Sequence, residues 1–115
     1  MKSITSTYNL IPFQTNQLKK QLEGFKVGKI IYPATLKTKL NIEILVAYKI
    51  LDDVAKLGYI TPVFEVYCSK CQESNNVIVK NIVDFNEQIG NCNECNHELS
   101  FLDDTIRLYR VIKDD

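Results

Sequence analysis

Hydrophobic residues recur at helical spacing in the first half of the chain. Leu18, Leu22 and Phe25 fall on one helical face, so this pattern predicts an amphipathic helix over residues 15–23. Residues 1–13 lack such a pattern and are expected to form an extended or irregular arm.

Two further helices and a short strand are predicted before residue 58. Residues 29–32 favour a short strand, and Pro33 then opens a helix, because proline is tolerated in a first helical turn. The next helix covers residues 43–57, and Gly58 ends it as a C-cap glycine. The apolar residues of these two helices are Leu36 and Leu40 in the first, and Val46, Ala47, Ile50, Val54 and Leu57 in the second.

From residue 59 onward β-branched and aromatic residues become frequent, and these residue types favour strands. Residues 59–67 are predicted as a strand in which Pro62 produces a break or a bend. Asn75 and Asn76 have turn chemistry, and residues 84–89 form a loop or a helical turn. The other expected strands are 77–79, 98–102 and 105–112, the last two joined by Asp103–Asp104, with a small core of Leu99, Phe101, Ile106, Leu108 and Tyr109.

Four cysteines stand out in the strand-rich half. Cys68 and Cys71 form one C-x-x-C pair, and Cys92 and Cys95 form a second pair after twenty intervening residues. Two such pairs at about this separation are a zinc signature, because each tight turn supplies two thiolates to a tetrahedral ion. We therefore predict one structural Zn²⁺ bound by these four residues.

Other uses of four cysteines are less consistent with the sequence. A redox C-x-x-C would need one pair in a βαβ context, and two disulfides would need an oxidising compartment. The first residues lack an apolar block typical of a signal peptide, so a reducing cytoplasm is expected. An iron–sulfur cluster also uses four thiolates, and it stays open as an alternative.

The chain has few of the groups that enzymes use. His97 is the only histidine, and four cysteines already complete a tetrahedron, so we expect His97 to be a surface or supporting residue. The glycines are isolated, and the adjacent acids at 52–53, 103–104 and 114–115 point in different directions, which makes poor catalytic pairs. We expect a protein that is not an enzyme, has no small-molecule substrate and does not enter a membrane.

Charge is distributed unevenly although the net charge is zero. Residues 1–60 contain nine lysines and four acids, giving +5, and residues 61–115 contain five basic and ten acidic residues, giving −5. Such asymmetry indicates two modules with different partners.

The succession of elements over residues 33–60, PATLKTKLNIEILVAYKILDDVAKLGYI, resembles the winged helix-turn-helix family. The matching residues are Leu36, Leu40 and Ile42 for the second helix and its turn, and Ala47, Ile50, Leu51 and Leu57–Gly58–Tyr59–Ile60 for the recognition helix and the start of the wing. The resemblance implies an α+β protein, with a winged helix of three helices and a short sheet over 14–66. An antiparallel β zinc ribbon follows over 67–115.

This order of a winged helix and a four-cysteine ribbon is similar to that of the archaeal general transcription factor E and its eukaryotic counterpart. Proteins of that family act on RNA polymerase at the promoter without sequence-specific reading. The similarity implies an accessory or adaptor subunit that docks a larger protein machine acting on nucleic acid, in replication, transcription or phage defence.

The alternative is a stand-alone winged-helix regulator that binds DNA. In either case lysines would contact mainly the phosphate backbone, since the predicted recognition helix lacks arginine, the commonest specific base reader. The candidate contacts are Lys26, Lys29, Lys37, Lys39, Lys49 and Lys56.

Overall fold

Helices and antiparallel strands alternate along the chain in the computed structural model, which describes residues 10–23 and 26–113. The protein is therefore a mixed α+β fold, as predicted. The elements are α1 (Pro12–Glu23), β1 (Ile30–Ile31), α2 (Pro33–Leu40), α3 (Ile44–Lys56), β2 (Ile60–Cys68), β3 (Glu73–Val79), α4 (Ile82–Gln88) and β4 (Thr105–Val111).

Helices α2 and α3 begin and end where local chemistry dictates. Proline occupies the first position of α2, and Asn41 ends that helix in the left-handed region at φ 53°. Helix α3 begins after a three-residue turn, and Gly58 follows it with a φ of +91°, as expected of a glycine that terminates a helix. Helix α1 begins at Pro12, so the last residues of the predicted 1–13 arm are helical.

The chain divides into two compact units. One comprises residues 1–61 and 109–115, hereafter the helical unit, and the other comprises residues 62–108, hereafter the cysteine unit. The chain leaves the helical unit along β2 and returns to it along β4. The predicted boundary between residues 66 and 67 differs from this division, because residues 109–111 pair and pack with the helical unit.

The helical unit has an apolar core built by the faces that helical spacing predicts. Helix α3 contributes the largest share of buried side chains, while Leu57, expected on the same face, is 51% exposed because it lies in the C-cap beyond the last turn. A side-chain amide of Gln14 also donates to the Leu40 carbonyl, 3.1 Å away, which joins α1 to α2. The buried residues are Leu18, Ile31, Leu36, Leu40, Ala47, Ile50, Leu51, Val54, Ile60, Tyr109 and Val111.

The strands form one antiparallel sheet in the order β1-β4-β2-β3. In the helical unit β1 pairs with β4, with Ile30 opposite Arg110 and Ile31 opposite Tyr109. In the cysteine unit β2 pairs with β3, from Phe64 opposite Val79 to Cys68 opposite Glu73.

Two predictions about the strands are wrong, and of the two alternatives expected at Pro62, a break or a bend, the break is wrong. Pro62 does not break β2, because it precedes the first residue of that strand that pairs with β3 and no β3 carbonyl needs its missing N–H. Residues 98–102 form turns and one isolated bridge instead of a strand. Asn75 and Asn76 lie inside β3 instead of forming a turn before it.

The sequence pattern places Tyr109 in the core of the ribbon, but this residue belongs to the core of the helical unit. Its side chain is fully buried, and its hydroxyl donates a hydrogen bond to Oδ1 of Asp52 on α3. This bond ties the end of β4 to the longest helix of the unit.

We expect Tyr109→Phe to lower the free energy of unfolding of the helical unit by about 2 kcal/mol, since a hydrogen bond to a carboxylate is removed. Urea denaturation followed by circular dichroism at the helical band measures this change. Tyr32→Phe serves as the control, because the Tyr32 side chain is 44% exposed. Equal stabilities of the two variants would contradict the role assigned to the Tyr109 hydroxyl.

Among residues 10–23 and 26–113, no helix combines the length and the apolar character that crossing a membrane requires.

Candidate metal centre

The four cysteine sulfurs lie together in the cysteine unit. All four Sγ atoms are within 4.8 Å of one another. Across the two pairs, Cys68 Sγ lies 3.6 Å from Cys95 Sγ, and Cys71 Sγ lies 3.6 Å from Cys92 Sγ. A disulfide would need a separation of about 2.05 Å, so these are free thiols.

These spacings fit a single tetrahedral ion. With metal–sulfur bonds of about 2.3 Å, the edges of a sulfur tetrahedron are about 3.8 Å long. The two measured edges are close to this length, at 3.6 Å each. The residues at 68, 71, 92 and 95 are thus brought together as the sequence pattern predicted, and they could hold one metal ion.

The two C-x-x-C turns share two backbone features. In the first turn the N–H of Gln72 donates to the Cys68 carbonyl at 2.8 Å, and in the second the N–H of Asn96 donates to the Cys92 carbonyl at 2.9 Å. Gln72 and Asn96 each adopt a left-handed conformation, with φ of 60° and 62°. Sequence reasoning did not identify these two residues, although Asn at such a position is a known sign of left-handed backbone.

Backbone N–H groups point at two of the sulfurs. The N–H of Cys71 lies 3.5 Å from Cys68 Sγ, and the N–H of Glu94 lies 3.4 Å from Cys92 Sγ. The N–H of Cys95, together with that of Glu94, lowers the pKa of the Cys92 thiol to about 7 despite its burial. Burial, reinforced by the neighbouring thiols, raises the pKa of Cys71 to about 12. A bound cation would supply the positive charge that all four thiolates need.

The buried carboxylate of Asp104 joins two segments of the cysteine unit that are far apart in the sequence. Asp104, which the sequence pattern assigns to a turn or a solvated surface, is only 1% exposed. Its Oδ1 accepts from the N–H and the hydroxyl of Ser69, at 2.9 and 2.7 Å, and its Oδ2 accepts from the N–H of Ser100 at 2.8 Å. Since Ser69 lies between Cys68 and Cys71, Asp104 anchors the first C-x-x-C turn to the segment after the second.

The pKa of Asp104 lies below its ordinary value. Burial raises this pKa, but the N–H groups of Ser100 and Ser69 and the Ser69 hydroxyl outweigh burial, and His97 adds a smaller lowering. The ring of His97 faces this carboxylate, with Nε2 3.9 Å from Oδ2, and it lies outside the group of four sulfurs. His97 is therefore not one of the clustered ligands, and it lies beside the carboxylate that holds the first C-x-x-C turn.

A small apolar core surrounds the sulfurs. Its buried members are Val66, Cys68, Val79, Phe85, Cys92 and Leu99, so two of the six are cysteines. Phe101 packs against this core in tilted and edge-to-face contacts with Phe64 and Phe85, at centroid distances of 4.8 and 5.7 Å.

The six lysines proposed as nucleic-acid contacts lie in the helical unit, and all six are exposed. Lys37 and Lys39 lie in the last turn of α2, and Lys49 and Lys56 lie on α3. On α3, Oδ1 of Asp53 lies 3.8 Å from the Lys56 amine, and Asp52 accepts a hydrogen bond from the Tyr109 hydroxyl. Two half-buried acidic groups therefore lie on the same helix as the exposed lysines of α3.

Comparison with known proteins gives one partial likeness. The chain is 42% identical over 59 residues to the small ribosomal subunit protein eS25 of Sulfurisphaera tokodaii, a match that covers 51% of this chain. The chain spans about half, 52%, of the length of that curated relative. No protein-family model matches the chain, and no solved structure matches it.

Proposed function

We propose that this chain is a non-catalytic accessory subunit that binds one structural zinc ion and docks a larger assembly acting on nucleic acid. The observation that carries the proposal is the cluster of four cysteine sulfurs within 4.8 Å of one another, two of whose separations, at 3.6 Å each, are close to the edge of a tetrahedron around one ion. Four thiolates fill every position of a tetrahedral zinc, so no position is left for a substrate or a reactive water.

The winged-helix interpretation of the helical unit belongs to this proposal. Helices α2 and α3 are joined by a three-residue turn, as in a helix-turn-helix, and β1 pairs with the strand that returns at residues 109–111. On this interpretation β2 and β4 are the strands of the wing. The four-cysteine ribbon is then an insertion between them, and not a separate domain that follows.

The ribosomal relative supports an assembly that contains nucleic acid. Its name places that protein in the small ribosomal subunit. The distribution of charge also supports contact with nucleic acid. Residues 1–61 and 109–115 contain eleven basic and six acidic residues, while residues 62–108 contain three basic and eight acidic residues. The helical unit, at +5, is thus the unit suited to phosphate.

The first turn of α3 favours docking to a protein over sequence-specific binding of DNA. In helix-turn-helix proteins the N-terminal residues of this helix contact base edges. Here that turn exposes Ile44 and Leu45, which are 39% and 62% accessible and carry no hydrogen-bonding groups on their side chains. Exposed apolar side chains at this position suit a protein partner more than they suit a base pair. The alternative, a stand-alone winged-helix regulator, would need polar readers there.

A salt titration of nucleic-acid binding tests the proposal. We expect weak binding of duplex DNA and structured RNA at low salt without sequence preference, and a decrease in affinity as salt rises. Lys37→Gln with Lys39→Gln is expected to reduce the slope of log K against log salt by about 1 to 2, because each lysine that neutralises a phosphate contributes about one unit.

The matched control is Lys70→Gln with Lys80→Gln, because both lysines are exposed in the acidic cysteine unit. This control should leave the slope unchanged. Absence of binding at low salt, or an equal effect of the two double variants, would contradict the nucleic-acid part of the proposal. A sequence-selective homodimer with no larger partner in its native cells would favour the regulator.

A further inference from the structure

The hairpin formed by β2 and β3 contains an irregularity beside the sulfurs. Glu65 pairs with Ile78 and Tyr67 pairs with Ser74, so one residue of β2, Val66, faces three residues of β3, at positions 75–77. The two additional residues form a bulge, in which Asn76 adopts a left-handed conformation with φ 57°. Bulges commonly turn a side chain toward a site.

The side chain presented by this bulge is the carboxamide of Asn75. Its Oδ1 lies 3.7 Å from Sγ of Cys92, which is 3% exposed, and Asn75 itself is half-buried. Asn75 is two residues from Glu73, which pairs with Cys68, so the alternation of the strand places position 75 on the same face of the hairpin as Cys68.

The protonation state of the Cys92 sulfur decides whether the amide oxygen or the amide nitrogen of Asn75 faces it. As a free thiol, Cys92 can donate its proton to the amide oxygen of Asn75. A metal-bound cysteine is a thiolate and has no proton to donate, so only the amide N–H₂ can form a hydrogen bond with it. Rotation of the carboxamide by half a turn exchanges oxygen and nitrogen in the same space.

We propose that Asn75 donates a side-chain N–H hydrogen bond to the metal-bound thiolate of Cys92 and thereby sets the metal affinity of the centre. The proposal rests on the zinc assignment made above. Four thiolates around a divalent ion carry a net charge of −2, and a donor in a half-buried position offsets part of that charge where water is scarce. Groups beside metal ligands typically change affinity by about 10-fold to 100-fold when they are replaced.

The test compares Asn75→Ala and Asn75→Asp with the unmodified protein in the full chain. Zn²⁺ affinity is measured by competition with a chromophoric chelator, and the thiolate-to-metal charge-transfer band is recorded with Co²⁺ in place of Zn²⁺. We expect affinity to fall about 10-fold for Asn75→Ala, and further for Asn75→Asp, which removes the donor and adds a negative charge. In both variants the Co²⁺ band should move to longer wavelength, because a thiolate without its donor gives up electrons more easily.

Asn86→Asp is the control, since it makes the same substitution at an exposed position of α4 in the same unit. Its affinity and spectrum should equal those of the unmodified protein. Unchanged affinity in the Asn75 variants, equal decreases with an unshifted band, or complete loss of metal binding in Asn75→Ala would each overturn the proposal. Failure of the unmodified protein to bind zinc would instead overturn the proposed function.

Discussion

Removal of the metal, or replacement of Cys92 by serine, is expected to unfold the cysteine unit while the helical unit keeps most of its structure. Structural zinc contributes an apparent binding free energy of about 10–16 kcal/mol in zinc-finger peptides, comparable with the entire stability of a small domain. Two of the six buried residues in this small core are themselves cysteines, so loss of the ion acts directly on the core. The core of the helical unit contains no cysteine among its described residues.

Amide hydrogen exchange, read separately for residues 62–108 and for the helices, measures this outcome. Elemental analysis of the reduced protein should give one zinc per chain, and iron with inorganic sulfide would replace the zinc assignment with a cluster. Asn93→Ser is the control, because Asn93 is exposed between Cys92 and Cys95 and supplies no ligand. Undiminished protection of residues 62–108 after chelation would refute the prediction.

Asp104→Asn is expected to destabilise the cysteine unit by about 2–4 kcal/mol and to weaken zinc binding with it. The carboxylate accepts hydrogen bonds on both oxygens, from Ser69 on one and from Ser100 on the other. An asparagine has one acceptor oxygen, so its N–H₂ would face a part-buried N–H donor on one side. Denaturation at a fixed free zinc concentration measures the change.

The advantage of Asp104 over asparagine should depend on pH. The folded pKa of this group is lowered, so its stabilisation is fully present above the ordinary carboxyl pKa and disappears as pH falls through the folded value. The difference in stability between the unmodified protein and Asp104→Asn should therefore shrink in acid. Asp103→Asn, at an exposed neighbouring position, keeps an oxygen that can accept the hydrogen bond from the Ser100 hydroxyl, so it should show neither the destabilisation nor the pH dependence.

Local chemistry made much of this fold predictable from the sequence. Pro33 and Gly58 delimit helices because their backbone restrictions act wherever they occur, and both positions behave as expected. The spacing of the cysteine pairs predicted the sulfur cluster for a similar reason, since a C-x-x-C turn requires only four consecutive residues. The winged helix, the ribbon and the nucleic-acid contacts stay predictions.

The wrong predictions concern residues whose partners are distant or whose local hydrogen bonds compete with strands. Leu99 and Phe101 alternate as in a strand, yet Ser100, Asp103 and Thr105 bond to nearby groups and fold the segment into turns. The burial of Asp104 depends on Ser69, 35 residues away, and the position of Tyr109 depends on Asp52, 57 residues away. The periodicity of hydrophobic residues in a single sequence does not predict hydrogen bonds between residues so far apart.

The return of the chain to the helical unit has a consequence for the order of folding. Strand β1 has two residues, and its partners in β4 lie roughly 80 positions later in the sequence, so the core cannot close until the intervening 47 residues have been synthesised. An unstructured insertion of that length adds about 2 kcal/mol of loop-closure entropy relative to a short turn. A metal ion bound by the four cysteines would order the insertion, and we therefore expect it to favour completion of the helical core through chain connectivity alone. Removal of the ion is expected to slow the folding of the helical unit and to lower its stability modestly, although that unit contains none of the four cysteines.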